Sequence, residues 1–148
     1  MCVIVDANLG SAVFGVPTDA DFIPVIRWLK ERNGCIVYGG QLAKELRRIG
    51  AARIFLAALN QAGGARPLKD EEVCVETKRL RKTGQVVSDD PHGIALARLS
   101  GARTLCSRDK TLHADFKNKR LIDSPRGAIY QKPSHSKHLR HTRESCGR

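Results

Sequence analysis

Four acids in this chain have the type and spacing to do chemistry together. Asp6 directly follows the apolar run CVIV, Asp90 precedes Pro91 at the head of a helical pattern, and Asp109 lies two residues after TLCS. Glu45 sits in AKEL, on an early helix. Carboxylates brought together repel one another unless a cation joins them. Hard divalent ions such as Mg²⁺ and Mn²⁺ accept such oxygen ligands and keep several waters. A basic protein with an acidic, metal-loaded pocket suits phosphodiester hydrolysis. The basic surface holds the backbone, while the metal activates water and stabilises the leaving oxygen.

Each acid also has an ordinary alternative. Asp6 can close an Asx-turn, and Asp90 and Asp109 can cap helices. Glu45 can pair with Lys44 or Arg48 on a solvated face. The spacing alone leaves these readings open.

The charge balance fits a polyanionic partner, and by itself fits a solvated surface tuned for solubility equally well. Of 148 residues, 26 are Lys or Arg and 15 Asp or Glu, a formal net charge of +11. Residues 126–148 hold six Lys/Arg against Glu144, so that stretch contributes +5 and residues 1–125 contribute +6. Excess positive charge on both parts is the footprint of nucleic-acid binding. Aromatic residues make up only 5%, which argues against a base-stacking platform.

The elements that must position these residues follow from periodicity. CVIV at 2–5, CIVY at 35–38 and RTLCS at 103–107 read as buried strands, and AIY at 128–130 as an edge strand. Helices are expected over about 19–32 with Pro24 an internal irregularity, 41–49, 51–61, 70–82 and 109–116. An eleven-residue helix is expected to open at Asp90–Pro91 and close at Gly101. Short strands alternating with helices predict an α/β domain whose mainly parallel sheet is covered on both faces. In such a sheet the ligand crevice lies beyond the carboxyl ends of the strands, which puts Asp6 and Asp109 on one rim.

The domain is expected to span residues 1–130, followed by a basic tail over 131–148 that holds a polyanion by phosphate contacts. The five cysteines form no C-x-x-C pair, and Cys2, Cys35 and Cys106 read as reduced core residues. No apolar run is long enough for a transmembrane helix, and MCVIVDANLG lacks the basic start of a signal peptide. The expected address is the cytoplasm, with no membrane partner.

VIVDAN at 3–8, the acid of KEL at 44–46 and SDDPHGIALARLSGARTLCSRDKTL at 88–112 resemble the PIN-domain nucleases, over residues 2–116. The resemblance implies a three-layer α/β/α sandwich and an acidic quartet at Asp6, Glu45, Asp90 and Asp109. It further implies Mg²⁺ or Mn²⁺ as cofactor and endonuclease activity, commonly on RNA. Asn8 falls near the first acid and Ser107 on the hydroxyl position before the fourth. Asp89 competes with Asp90, which is preferred for its spacing to Ala95-Leu96-Ala97, and Asp115 could supplement the fourth acid. His92 could touch substrate. Many small bacterial members are toxins, so an antitoxin protein is an implied partner, and a homodimer is left open.

Two other functions compete. A non-catalytic RNA- or partner-binding module on the same scaffold would not require all four acids. An aspartyl phosphatase would require D-x-D after the first strand, where this chain has Asn8.

Overall fold

The computed structural model describes residues 2–89 and 91–139. Five parallel strands form one sheet in the order β3-β2-β1-β4-β5. They are β1 (Cys2–Val5), β2 (Cys35–Gly39), β3 (Ala65–Leu68), β4 (Thr104–Cys106) and β5 (Ala128–Tyr130). Helices cover both faces, so the expected three-layer α/β/α sandwich is the observed architecture, with the sheet wholly rather than mainly parallel. Strands β1 and β4 are buried along their whole length, as a sheet packed on both faces requires. Val3, Ile4 and Val5 share the core with Leu105, Ile94 and Leu96.

The strand order reverses direction at β1, where the chain first builds outward through β2 and β3 and then returns to β4. The crevice of a doubly wound sheet opens at such a point. Here the register pairs Val5 with Cys106, and the Asp6 amide donates to the Cys106 carbonyl at 2.9 Å. The residues that follow the two strands, Asp6 and Ser107, therefore emerge side by side.

Among the described residues seven α-helices connect the strands: α1 (Gly10–Phe14), α2 (Ile23–Lys30), α3 (Gly40–Arg47), α4 (Gly50–Gln61), α5 (Asp70–Lys82), α6 (His92–Ser100) and α7 (Lys110–Lys117). Pro24 is not an interior irregularity. Residues Ala20–Phe22 form a 3₁₀ turn, and Pro24 falls in the first turn of α2, where its missing N–H leaves no bond unmade. Helix α6 has nine residues rather than eleven, with Pro91 at the cap position; Gly101 closes it at φ +82, as expected. Asp90 lies outside the described residues.

Strand β3 and helix α1 have no clear periodic signal. Arg66 and Pro67 interrupt any apolar pattern in β3, and only an edge position tolerates the proline's missing donor. Cys2 also departs from expectation: it is disulfide-bonded, whereas Cys74 and Cys106 are free thiols. Burial raises the Cys106 thiol pKa far above its ordinary value, so this sulfur behaves as a core atom. No helix among the described residues is long and apolar enough to cross a membrane.

The chain after Tyr130 is not solvated throughout, which corrects the expected domain end at residue 130. Pro133–His138 form a 3₁₀ segment packed on β5 and α2. Thr104 Oγ1 donates to the His138 carbonyl at 2.9 Å, the Gln131 amide donates to His135 Nδ1 at 3.1 Å, and Leu139 is buried. The sandwich thus continues to Leu139, while 140–148 lie outside the described residues. Leu139→Ala should lower the unfolding free energy by about 2 kcal/mol in a urea titration. An unchanged midpoint would return these residues to the status of a solvated tail.

Candidate active site

The site begins with a buried hydroxyl. Ser107, the first residue beyond β4, is fully buried, and its Oγ–H donates to Asp6 Oδ2 at 3.0 Å. The same Oγ accepts from the Asp109 amide at 3.0 Å. A serine hydroxyl has one proton and two lone pairs, so it can serve both partners at once. Its backbone carbonyl is held as well, accepting from His113 Nε2 at 2.6 Å. Asp6 and Asp109 are thereby locked to one another across 103 positions of sequence.

Both acids also have the local roles their positions suggest. Asp6 opens the 3₁₀ turn Ala7–Leu9, its Oδ1 accepting from the Asn8 amide at 3.4 Å. Asn8 contributes a backbone donor there, and the residue is exposed. Asp109 caps α7, with Oδ1 accepting from Thr111 Oγ1 at 2.8 Å and from the Thr111 and Leu112 amides. The Thr111 hydroxyl, followed by these amides and nearby His113, holds the Asp109 carboxyl below the usual carboxylate range. All three bonds fall on Oδ1. Oδ2 accepts none among the described residues and is available to a ligand.

Arg108, between these residues in sequence, turns away from them. Its guanidinium lies 5.2 Å from the Phe22 ring centroid and 3.2 Å from Asp21, tying the end of β4 to the turn before α2.

Glu45 occupies a cleft of about 800 Å³ formed mainly by α3, α5 and the start of α6. It makes no ion pair among the described residues, so pairing with Lys44 or Arg48 does not account for it. Its carboxylate accepts from Gln41 Nε2 at 3.4 Å. Asp89 and His92 line the same cleft, as do Asp70 and Glu71. Asp70 accepts from the Gly40 amide at 2.9 Å and clips the start of α5 to that of α3. Gly40 has φ +57, and a Cβ there would stand 2.8 Å from Val73 Cγ1, so the close approach of these helices requires glycine. The signal for this clip was the Gly39-Gly40 pair after β2.

The two groups of acids belong to adjoining elements. The 3₁₀ turn that Asp6 opens packs on α3, which carries Glu45, and α6 packs on α3, β1 and α7. Among the described residues, no three His, Cys, Asp or Glu side chains stand close enough to hold a metal ion; Asp90 lies outside them. The donor types fit a hard divalent ion, being carboxylate oxygens throughout, with Asp109 Oδ2 and Glu45 Oε2 uncommitted.

Asp115 belongs to a different structure. Its carboxylate is 1% exposed and accepts from the Val87 amide at 2.9 Å and the Ser88 amide at 2.7 Å. It fastens the segment carrying Asp89 to α7, and so positions that acid without lining the cleft. No family model, curated protein or solved structure matches the chain.

Removing the Asp115 carboxylate, which is itself buried, takes away the acceptor to which the Val87 and Ser88 amides donate. Asp115→Ala should cost about 3 kcal/mol in chemical denaturation with EDTA present. Glu45→Gln, at an acid with no ion pair, should stay within about 0.5 kcal/mol. Equal costs for the two substitutions would contradict this division of roles.

Proposed function

We propose that the protein is a metal-dependent endonuclease that hydrolyses RNA phosphodiester bonds at the rim of β1 and β4. The observation that carries the reading is the Asp6–Ser107–Asp109 linkage at the reversal point of the sheet. A cap needs only its own helix, whereas this linkage ties the Asp6 carboxylate to the backbone of Asp109 through one buried hydroxyl. Glu45 in the adjoining cleft, which makes no ion pair among the described residues, the net charge of +11 and the resemblance to PIN-domain nucleases support the same reading.

Asp6, Glu45, Asp90 and Asp109 would hold Mg²⁺ or Mn²⁺. A cation bound there supplies Lewis acidity toward water and toward a phosphodiester oxygen. The chain's own part is orientation. Ser107 holds the Asp6 carboxylate, and Thr111 lowers the Asp109 carboxyl pKa while occupying only Oδ1. Asp115 fixes the loop that brings Asp89 to the cleft. No side-chain nucleophile is invoked.

Asp6→Asn should lower the cleavage rate at least about 100-fold, since direct ligands matter more than their supporting residues. In EDTA its unfolding free energy should change by less than about 1 kcal/mol, because the amide oxygen can still accept one hydrogen bond. Full activity in this variant would remove Asp6 from the machinery. RNA binding without cleavage, in both proteins and with Mn²⁺ present, would assign the scaffold to a non-catalytic binding module.

Mn²⁺ should raise the melting temperature of the unmodified protein by mass action on the folded state. Replacing Asp90 and Asp109 together by Asn should abolish that rise. A thermal shift that survives the double substitution would place the ion elsewhere.

A further inference from the structure

The cleft that contains Glu45 and Asp89 also has a cationic wall. Lys44 on α3, and Lys78 and Arg81 on α5, line it. All three are exposed, and none makes an ion pair or hydrogen bond among the described residues, although Glu45, Asp70, Glu71 and Asp89 line the same space. The geometry of α5 keeps the charges apart. Its acids Asp70, Glu71 and Glu72 occupy the first turn, where the helix dipole favours them, and its cations gather at the other end. Glu71 and Lys78 lie on one face but two turns apart, about 10 Å of rise, beyond the reach of a salt bridge. Lys78 and Arg81, three residues apart, are neighbours on that face.

Three unpaired cations beside acids make a wall suited to a polyanion that must pass close to carboxylates. We propose that Lys44, Lys78 and Arg81 hold the phosphate backbone of RNA against the acidic rim. The proposal rests on the endonuclease reading for the identity of the polyanion. It places the main phosphate contacts in this cleft instead of in the segment after Tyr130, of which residues 133–139 pack on the fold. A second basic surface provides the control. Lys119 and Arg120 line a separate pocket with Arg79, Arg98 and Arg103. There Arg98 is committed to Glu76 and the Leu121 carbonyl, and Arg103 to the carbonyls of Ala97 and Pro125.

The test uses the full chain with Asp6→Asn, so that RNA is bound but not cut, and a labelled single-stranded oligoribonucleotide followed by fluorescence anisotropy. Losing three phosphate contacts should reduce the salt slope by about two, so the affinity advantage over Lys44→Ala/Lys78→Ala/Arg81→Ala should shrink roughly 20-fold between 50 and 200 mM salt. Lys119→Ala/Arg120→Ala should leave both affinity and slope near the parent. The milder pair Lys78→Gln/Arg81→Gln should lose an intermediate amount and guards against misfolding of the triple variant. Equal losses in the two surfaces, unchanged binding in the cleft variant, or no RNA binding by the parent would overturn the assignment. With Asp6 restored, the triple variant should raise KM far more than it lowers kcat. If the Asp6 protein binds as expected but cuts nothing, the endonuclease reading fails while the assignment of the binding wall stands.

Discussion

The candidate site depends on the register between β1 and β4. Because Val5 lies opposite Cys106, the next residues on each strand are Asp6 and Ser107, and a buried hydroxyl meets a carboxylate. A slip of one residue would turn every side chain of β4 to the opposite face and take Ser107 with it. The register is strongly specified because both faces of these central strands are buried, so the slip would send apolar groups and Ser107 to places that do not fit them. Catalytic geometry, on this reading, is inherited from the core. The hydroxyl adds what the core cannot, a donor for one acid and an acceptor for the amide of the other.

The acids of this chain divide according to whether the protein itself satisfies them. Asp115 and Glu76 are buried and compensated. Asp115 has two backbone amides, while Glu76 has Arg98 at 2.8 Å and Arg79 at 3.3 Å. Arg98 in turn reaches the Leu121 carbonyl, so this pair fastens α5, α6 and the chain after α7 together. A buried carboxylate without such partners would be expensive, which is why these two are structural. Glu45 and Asp89 are the reverse. They face a cleft, and among the described residues neither makes an ion pair. Asp109 stands between the groups, with one oxygen spent on its helix and the other accepting no hydrogen bond among the described residues.

Positive charge divides in the same way. Arg98 and Arg103 are consumed by carbonyls and Glu76, and Arg108 by Asp21 and Phe22. Burial lowers the Arg103 pKa from its ordinary value, though a guanidinium stays protonated throughout the physiological range. A net charge of +11 therefore overstates what is available to a partner. The cations that remain uncommitted beside the acids are those most relevant to a phosphate backbone, and they are few enough to name.

The sequence by itself determined the α/β class, most helices, the bounds of α5, the glycine closure of α6 and the rim shared by Asp6 and Asp109. These rest on local physics: apolar periodicity, capping within three or four residues, and the rule that crevices open beyond strand ends. What tertiary structure decided is what spans long separations. Ser107 meets Asp6 across 101 positions, Asp115 meets Val87 across 28, and Gly40 meets Asp70 across 30. Strand β3 was not legible because ARPL has no pattern of its own and becomes a strand only by pairing with β2. Composition made residues 131–139 look like a tail, but Leu139 has a core to enter and His138 offers a carbonyl to Thr104. Glu45 beside Lys44 and Arg48 reads as a salt-bridged surface acid. Only the packing of α3 against α5 and α6 reveals that it faces a cleft, because helical spacing says which residues share a face and not what that face meets.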